Sequence, residues 1–338
     1  MRALERLEKL YAIGGGPGAN RIGYSPQEDE AHALTRVWLE EAGLETHVDD
    51  AGNLFGHSAT IPGVWTGSHL ETVPQGGKFD GALGVVAGIE AVERAGVGAV
   101  VAFRDEERGC VGSGAFVRRG QLPECFLELH IEQGPILASQ DAPLGLVTGI
   151  VGMMRGERVF EGRPGHAGTV PMDARQDALA AAARYVLHVH DSAAAIPGAV
   201  ATVGELEVEP GAANVIPARV RLTVDARAPD AERLGRLVRE LDLTPTFPLD
   251  PVVMADEPRE ALRAELETRA LPVVELASGA GHDAAILAAA GVPTAMLFVR
   301  SLNGGVSHSP EEFSSPEDVE LAVDVLSGAL ARLAARSR

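Results

Sequence analysis

Two rhythms of apolar and polar positions alternate along the chain, and their order predicts the architecture. Leu4, Leu7 and Leu10 recur at helical spacing near the N-terminus. Ser25-Pro26-Gln27-Glu28 offers an N-cap, a first-turn proline and a capping-box acid, and Gly43 is a suitable stop for the helix they start. Short strands follow at Glu45 to Val48 and near Leu54. The run from Val64 to Thr66 leads into His69, GALGVVAGIEAVERAG reads as a helix, and Ala99 to Phe103 reads as a buried strand ending at a carboxylate pair. Strands alternating with helices predict an α/β, largely parallel sheet whose strand ends carry the functional side chains.

The texture changes from about Val151 to Pro251. A strand with Arg158, Val159 and Phe160 precedes an Ala-rich helix from Ala174 to about His190. Alternating strands at Val200 to Val208 and Val220 to Ala228 follow, then a helix from Asp230 to Leu241. The order β-α-β-β-α-β predicts a small ferredoxin-like α+β domain. The parallel pattern then resumes with Val273 to Leu276, a helix from His282, a strand from Thr294 to Val299, and a last helix from Ser315 or Pro316. One discontinuous domain, 1–150 and 252–338, is therefore expected to carry an insert at 151–251.

At 338 residues the chain exceeds what one hydrophobic core usually holds, which agrees with two domains. Its 29 Lys plus Arg against 48 Asp plus Glu give a formal charge of −19, which argues against nucleic acid or an anionic membrane as partner. A small anionic substrate would then need local positive charge from metal ions and a placed arginine. Cys110 and Cys125 make no disulfide framework and are expected as reduced thiols. The charged N-terminus is unlike a secretory signal, and no stretch approaches a membrane span, so cytoplasmic residence is expected.

The candidate chemistry lies at His69, Asp80, Glu107, His130 and His308, in the segments GSHLETVPQGGKFDGALG, FRDEERG, LELHIEQGP and GVSHSPEE. Singly, a loop histidine is a solvated or capping residue, a Glu-Glu pair is charged surface, and Asp80 between glycines is an ordinary turn residue. Four such segments at strand ends point together to a two-metal hydrolase site. Two divalent cations a few ångström apart need a shared carboxylate, with imidazoles and further carboxylates completing sites that stay open to water. Asp80 is the candidate bridge, and the adjacent Glu106 and Glu107 can divide ligation and proton transfer. His32, His47, His57, His188 and His190 lie outside these segments and read as structural.

These motifs also resemble a known family. GSHxxT, FDG and DEE suggest the aminoacylase and carboxypeptidase G type metallopeptidases, and HIEQGP, HAGTVPM, SGAGHDA and GVSHSPEE narrow the likeness, which runs from about Leu34 to the C-terminus. The chain resembles the zinc-dependent amidohydrolases that include N-carbamoyl-L-amino-acid hydrolases, β-ureidopropionases and allantoate amidohydrolases.

The resemblance implies two divalent metal ions per subunit, zinc with manganese or cobalt as alternatives. One would sit on His69, Asp80 and His130, the other on Asp80, Glu107 and His308, with Glu106 as general base. It further implies Gln133 and His282 near the substrate. A lid and dimerisation domain would present His166, Asn214 and Arg227, often to the neighbouring subunit of a homodimer, with His166 facing the oxyanion and the other two the substrate carboxylate.

Glu71 stands where relatives carry an aspartate that orients the metal-binding histidine. The stretch from Glu107 to His130 is short, with Glu107-Arg108-Gly109-Cys110 replacing EEGxRF. The implied reaction is hydrolysis of the carbamoyl C–N bond of an N-carbamoyl-L-amino acid. Allantoate, another ureido acid or an N-acyl amino acid stays open as substrate, and a non-catalytic, metal-stabilised binding protein stays open as a different class.

Overall fold

The computed structural model describes residues 2–58, 63–119 and 122–336. They form two compact units, Met1–Ile150 with Val253–Arg338, and Val151–Val252. The larger unit begins with α1 (Arg2–Tyr11), α2 (Pro26–Glu41), β1 (Glu45–Val48), β2 (Leu54–His57), β3 (Val64–His69), α3 (Ala82–Ala95), β4 (Ala99–Phe103), α4 (Val111–Val117), β5 (Cys125–Ile131), α5 (Ile136–Ser139) and β6 (Leu144–Ile150). The smaller unit holds β7 (Gly152–Glu161), α6 (Ala178–Ala194), β8 (Val200–Glu209), β9 (Arg219–Ala228), α7 (Ala231–Leu241) and β10 (Thr244–Leu249). The chain returns through β11 (Val252–Val253), α8 (Asp256–Thr268), β12 (Val274–Ser278), α9 (Asp283–Ala289), β13 (Thr294–Val299) and α10 (Pro316–Arg336).

The large sheet runs β1-β2-β4-β3-β5-β13-β6-β11, with β12 beside β6. Its centre, β4-β3-β5-β13, is parallel, and the antiparallel pairs lie to either side. Cys125, Leu127, Leu129 and Ile131 on one face of β5 join the core built with α3, α8 and α10. Helix α3 is buried almost all round, which explains its apolar sequence. On the other face of β5, Glu128 meets the backbone N–H of Ala284 in α9.

In the smaller unit all strand pairs are antiparallel, in the order β10-β7-β9-β8. That order with β-α-β-β-α-β connectivity is the ferredoxin-like arrangement expected from the sequence. Val220, Leu222, Val224 and Ala226 of β9 pack into a core with α6 and α7. The alternate residues Arg219, Arg221, Thr223, Asp225 and Arg227 therefore share the opposite face.

Two local expectations are corrected, and one helix is added. Helix α6 starts at Ala178 rather than Ala174, because Asp177 caps it by accepting the N–H groups of Leu179 and Ala180, while Arg175 is extended. Half of the capping box at α2 forms: Ser25 accepts the Glu28 N–H, but the Glu28 side chain turns to the N–H groups of Tyr24 and Asp105 and to Arg104. Helix α8 has no counterpart in the sequence reading. Its Pro258 lies in the first turn, where a missing N–H costs nothing.

Candidate metal centre

Four parallel strands end on the same side of the large sheet. His69 ends β3 opposite Phe103, the last residue of β4, and His130 lies near the end of β5 opposite Phe298 of β13. The loop after β4 carries Glu106 and Glu107, and the segment after β13 carries His308. Asp80 precedes α3. A side chain at Gly81 would put its Cβ 2.3 Å from the His69 ring, so only glycine lets the loop pass the imidazole.

Asp80 is the hub. Its Oδ1 lies 3.2 Å from Nε2 of His130 and 3.9 Å from Nε2 of His69, and its Oδ2 lies 3.3 Å from Nε2 of His308. His308 Nε2 is also 3.4 Å from Glu107 Oε1. Two groups able to hold a cation result, His69–Asp80–His130 and Asp80–Glu107–His308, and they share Asp80.

The donor atoms fit metal ions. His130 Nδ1 meets the Ile131 carbonyl at 3.0 Å, which places the ring hydrogen there and leaves the Nε2 lone pair facing Asp80. That Nε2 and Glu107 Oε1 are buried without a hydrogen bond, as ligand atoms awaiting a cation would be. A third grouping, Glu128–His130–His282, fits less well: the Glu128 oxygens already accept from Ser68 Oγ and Ala284 N.

Burial raises Asp80, but His130 and His308 more than reverse that and hold it well below the usual carboxylate range. Burial opposes charge on His130, yet Asp80 outweighs it and lifts the imidazole to about 9. Asp80 also lifts His308 to about 9. Protons and cations thus compete for the same nitrogen atoms. Burial, then the nearby Asp283 and Glu107, push Glu106 well above the ordinary range. Cations placed between these acids would oppose that repulsion.

Glu71 does more than face its histidine. Its Oε1 lies 3.3 Å from His69 Nδ1 and accepts the N–H groups of both Glu106 and Glu107. The extra methylene over aspartate lets one carboxylate span the ligand and the acid pair. Glu106 Oε2 lies 3.8 Å from His69 Nε2, and Cys110 Sγ, from a free and buried thiol, lies 3.7 Å from Glu106 Oε1.

The remaining candidates divide. Gln133 donates from Nε2 to Asp80 Oδ2 and to Ser307 Oγ, both at 3.1 Å, so its side chain braces the hub. His282 is buried, bonds Ser278 Oγ at 2.8 Å and packs its ring 4.5 Å from that of His130. His166, Asn214 and Arg227 belong to the smaller unit. His166 bridges Val215, and Ala167 N donates to the Asn214 carbonyl at 3.0 Å, so these two loops lie together. Arg227 is held by Asp225 at 2.8 Å on the open face of β9.

Arg227 stands at the other end of that sheet. The last residues of β7 and β8, Glu161 and Glu209, both pair with Arg219, and the His166 and Asn214 loops extend beyond that end. Arg227 pairs with Met153 near the start of β7. Eight residues of strand separate Arg219 from Arg227, roughly 26 Å.

Sequence reasoning missed Glu128, Glu312 and Arg21, and read Glu28 only as a capping-box acid. Arg21 is wholly buried, donating to the carbonyls of Leu70 and Leu10, and burial lowers it to about 10. Each acts on backbone distant in sequence, which no local motif signals.

Residues 65–332 match the model of Peptidase family M20/M25/M40. The chain is 34% identical to an N-carbamoyl-L-amino acid amidohydrolase of Geobacillus stearothermophilus, with 96% of each chain covered. It is 32% identical to a probable allantoate deiminase of Oryza sativa subsp. japonica, over 93% of this chain and 84% of the relative. Among solved structures, an amidase of the hydantoinase/carbamoylase family from Burkholderia multivorans aligns with a TM-score of 0.88 at 32% identity, covering 98% of this chain and 97% of that one. The resemblance read from the motifs is borne out along nearly the whole length, and the chain belongs to the M20/M25/M40 peptidase family.

Proposed function

We propose that the larger unit binds two divalent cations, one on His69, Asp80 and His130 and one on Asp80, Glu107 and His308, and there hydrolyses the carbamoyl C–N bond of an N-carbamoyl-L-amino acid. One observation carries this reading. Two ligand groups share Asp80, and among the described residues every ion pair of Asp80, Glu106 and Glu107 is with a histidine, so the chain supplies acids without Lys or Arg partners. The names of the relatives support the substrate class, and the deiminase likeness supports allantoate as the second substrate to test.

The cations would polarise the scissile carbonyl and lower the pKa of water from about 15.7 to about 7; imidazole and carboxylate ligands suit zinc, manganese or cobalt. Glu106 takes the proton of the attacking water and hands it to the departing nitrogen. One water then converts a carbamoyl amino acid into the free amino acid, ammonia and carbon dioxide. His166 Nδ1 accepts the Gly168 N–H at 3.0 Å, so the ring hydrogen sits on Nε2, free to donate to the developing oxyanion. Arg227 grips the substrate carboxylate through a two-point contact, with Asn214 assisting.

A span of roughly 26 Å along β9 exceeds a small substrate, so His166 and Asn214 cannot serve the same molecule as Arg227 of their own chain. The site is completed across a homodimer, with Arg227 acting in its own subunit and His166 and Asn214 reaching from the second. The smaller unit then acts as lid and dimerisation domain. No helix among the described residues is long and apolar enough to cross a membrane, and the reading takes the enzyme as cytoplasmic.

Chelator-treated protein is expected to lose ammonia release from a panel of N-carbamoyl amino acids and allantoate, and to regain it with zinc, manganese or cobalt. Full activity in thoroughly demetallated protein would end the two-cation reading.

A further inference from the structure

Glu312 follows His308 by four residues and is buried. Its Oε1 accepts the backbone N–H of Phe79 at 2.7 Å and of Asp80 at 3.0 Å, 232 positions away from Asp80, while its Oε2 accepts the Ser307 hydroxyl at 2.9 Å. Ser307 Oγ also accepts from Gln133 Nε2, which donates in turn to Asp80 Oδ2. A ring closes from the Asp80 backbone through Glu312, Ser307 and Gln133 back to the Asp80 carboxylate. The neighbouring chain leaves room for it, since a Cβ at Gly77 would come 2.2 Å from the Glu312 carboxyl.

The two ligand groups depend unequally on such a ring. His69 and His130 sit on β3 and β5, fixed by hydrogen-bonded register with neighbouring strands. His308 lies nine residues past β13, half-exposed and in the left-handed region at φ 54°. No strand holds it, so its distance from Asp80 rests on how the loop is fastened. Hydrogen bonds of Leu302 to Phe313 and of Asn303 to Glu311 close the base of the loop, and Glu312 fastens it to Asp80, because one carboxylate binds the residue just before His308 and the Asp80 backbone.

We infer that Glu312 is a positioning residue which sets the spacing of Asp80 and His308, and with it the affinity of the Asp80–Glu107–His308 site for its cation. The inference rests on the two-cation reading. It goes beyond that reading in predicting that the two sites lose affinity separately.

The test uses metal-free full-length protein titrated with zinc against a chromogenic chelator, which resolves two binding steps without reference to activity. Glu312→Ala is expected to weaken one step roughly ten- to a hundredfold, as loss of a group supporting a ligand does, and to spare the other. The weakened step should be the one that His308→Ala removes. Glu312→Gln keeps an oxygen for the two N–H groups but puts an NH2 against Ser307, so it should weaken the same step by less. Gly77→Ala, which crowds the carboxylate without altering it, should reproduce the Glu312→Ala pattern. Thermal unfolding of the metal-free variants separates misfolding from a site effect, and Glu312→Gln carries the test if Glu312→Ala fails to fold. Wild-type protein binding two ions, with folded Glu312 variants that match it or lose both steps equally, overturns the role of Glu312 alone. Wild-type protein binding fewer than two ions overturns the two-cation reading and this inference with it.

Discussion

Apart from Asp80, the acids at the strand ends of the larger unit and those on the open face of the smaller sheet are treated in opposite ways. Around the strand ends of the larger unit, burial is the leading cause that raises Glu71, Glu106, Glu107, Glu128, Asp283 and Glu312 above the ordinary range. Glu71, Glu128 and Glu312 each grip backbone N–H groups of another segment. On the open face of the smaller sheet, arginines lower the acids instead. Glu207 is held down by Arg221, and Asp225 by Arg227 and Arg155 against its partial burial. On that face each of these acids has arginine partners of its own. A buried set of acids with histidine partners requires protons or cations from outside, and that difference marks where the chemistry belongs.

The sharpest break of this comparison is in the acid pair. Glu106→Gln is expected to keep cation binding yet lower turnover a hundredfold or more, the scale of lost general-base help. His166→Ala should also be inactive, for a reason seated in the smaller unit. If sites are completed across a dimer, mixing these two variants should create heterodimers in which one site collects both defects and the other has neither, restoring activity toward half per dimer. Glu106→Gln mixed with Arg227→Ala should not recover, because both defects then lie in separate sites and leave no intact one. Recovery with Arg227→Ala instead of His166→Ala would reverse the assignment.

Glu71 tests whether the buried acids act as clamps. Glu71→Ala removes support from His69 and from the backbone of Glu106 and Glu107, and should weaken cation binding roughly ten- to a hundredfold. Glu71→Asp is one methylene shorter. It should retain most cation affinity but lose turnover, because the carboxylate can no longer span both the imidazole and the acid pair. Chelator competition and turnover measured on the same preparations separate the two effects; equal losses in both would show that Glu71 serves His69 alone.

Much of this was legible in the sequence for a physical reason. The candidate ligands end apolar strands, as His69 and His130 do, or lie in the glycine-bearing loops nearby, so side-chain type and local spacing carry the signal, and the strands and helices of the smaller unit showed in its alternating and helical periods. Of the clamps only Glu71 was legible, and that through the family resemblance rather than through spacing. Glu312 stands in a Glu-Glu pair that looks like charged surface, and its partners lie 232 positions away for Asp80 and five for Ser307. The resemblance groups Arg227 with His166 and Asn214, whereas strand register sets Arg227 at the opposite end of the sheet from the other two. Register depends on which strands pair, and composition does not reveal that.

The smallest expected effect on turnover comes from a buried group remote from the reacting atoms. His32 in α2 is buried with neither ring nitrogen hydrogen-bonded, and burial followed by Arg104 lowers it to about 3. The unfolded chain takes up this proton near pH 6.5, whereas the folded protein resists it down to about 3. Stability is therefore intact above pH 6.5 and is lost as pH falls toward about 3. Between pH 6.5 and 5 the loss from this one residue is about 2 kcal/mol. His32→Leu should remove that slope, leave turnover at neutral pH unchanged and cost nothing at pH 8, where the histidine is neutral in both states. Glu28, 3.8 Å away and raised to about 7 by burial and Glu71, contributes the opposite slope, but it does so in both proteins and largely cancels in the difference. Denaturant unfolding of the two metal-free proteins from pH 8 to 5 measures it. Parallel curves would mean that His32 finds a proton acceptor or solvent in the folded state, and that burial in the larger unit is less strict than its acids imply.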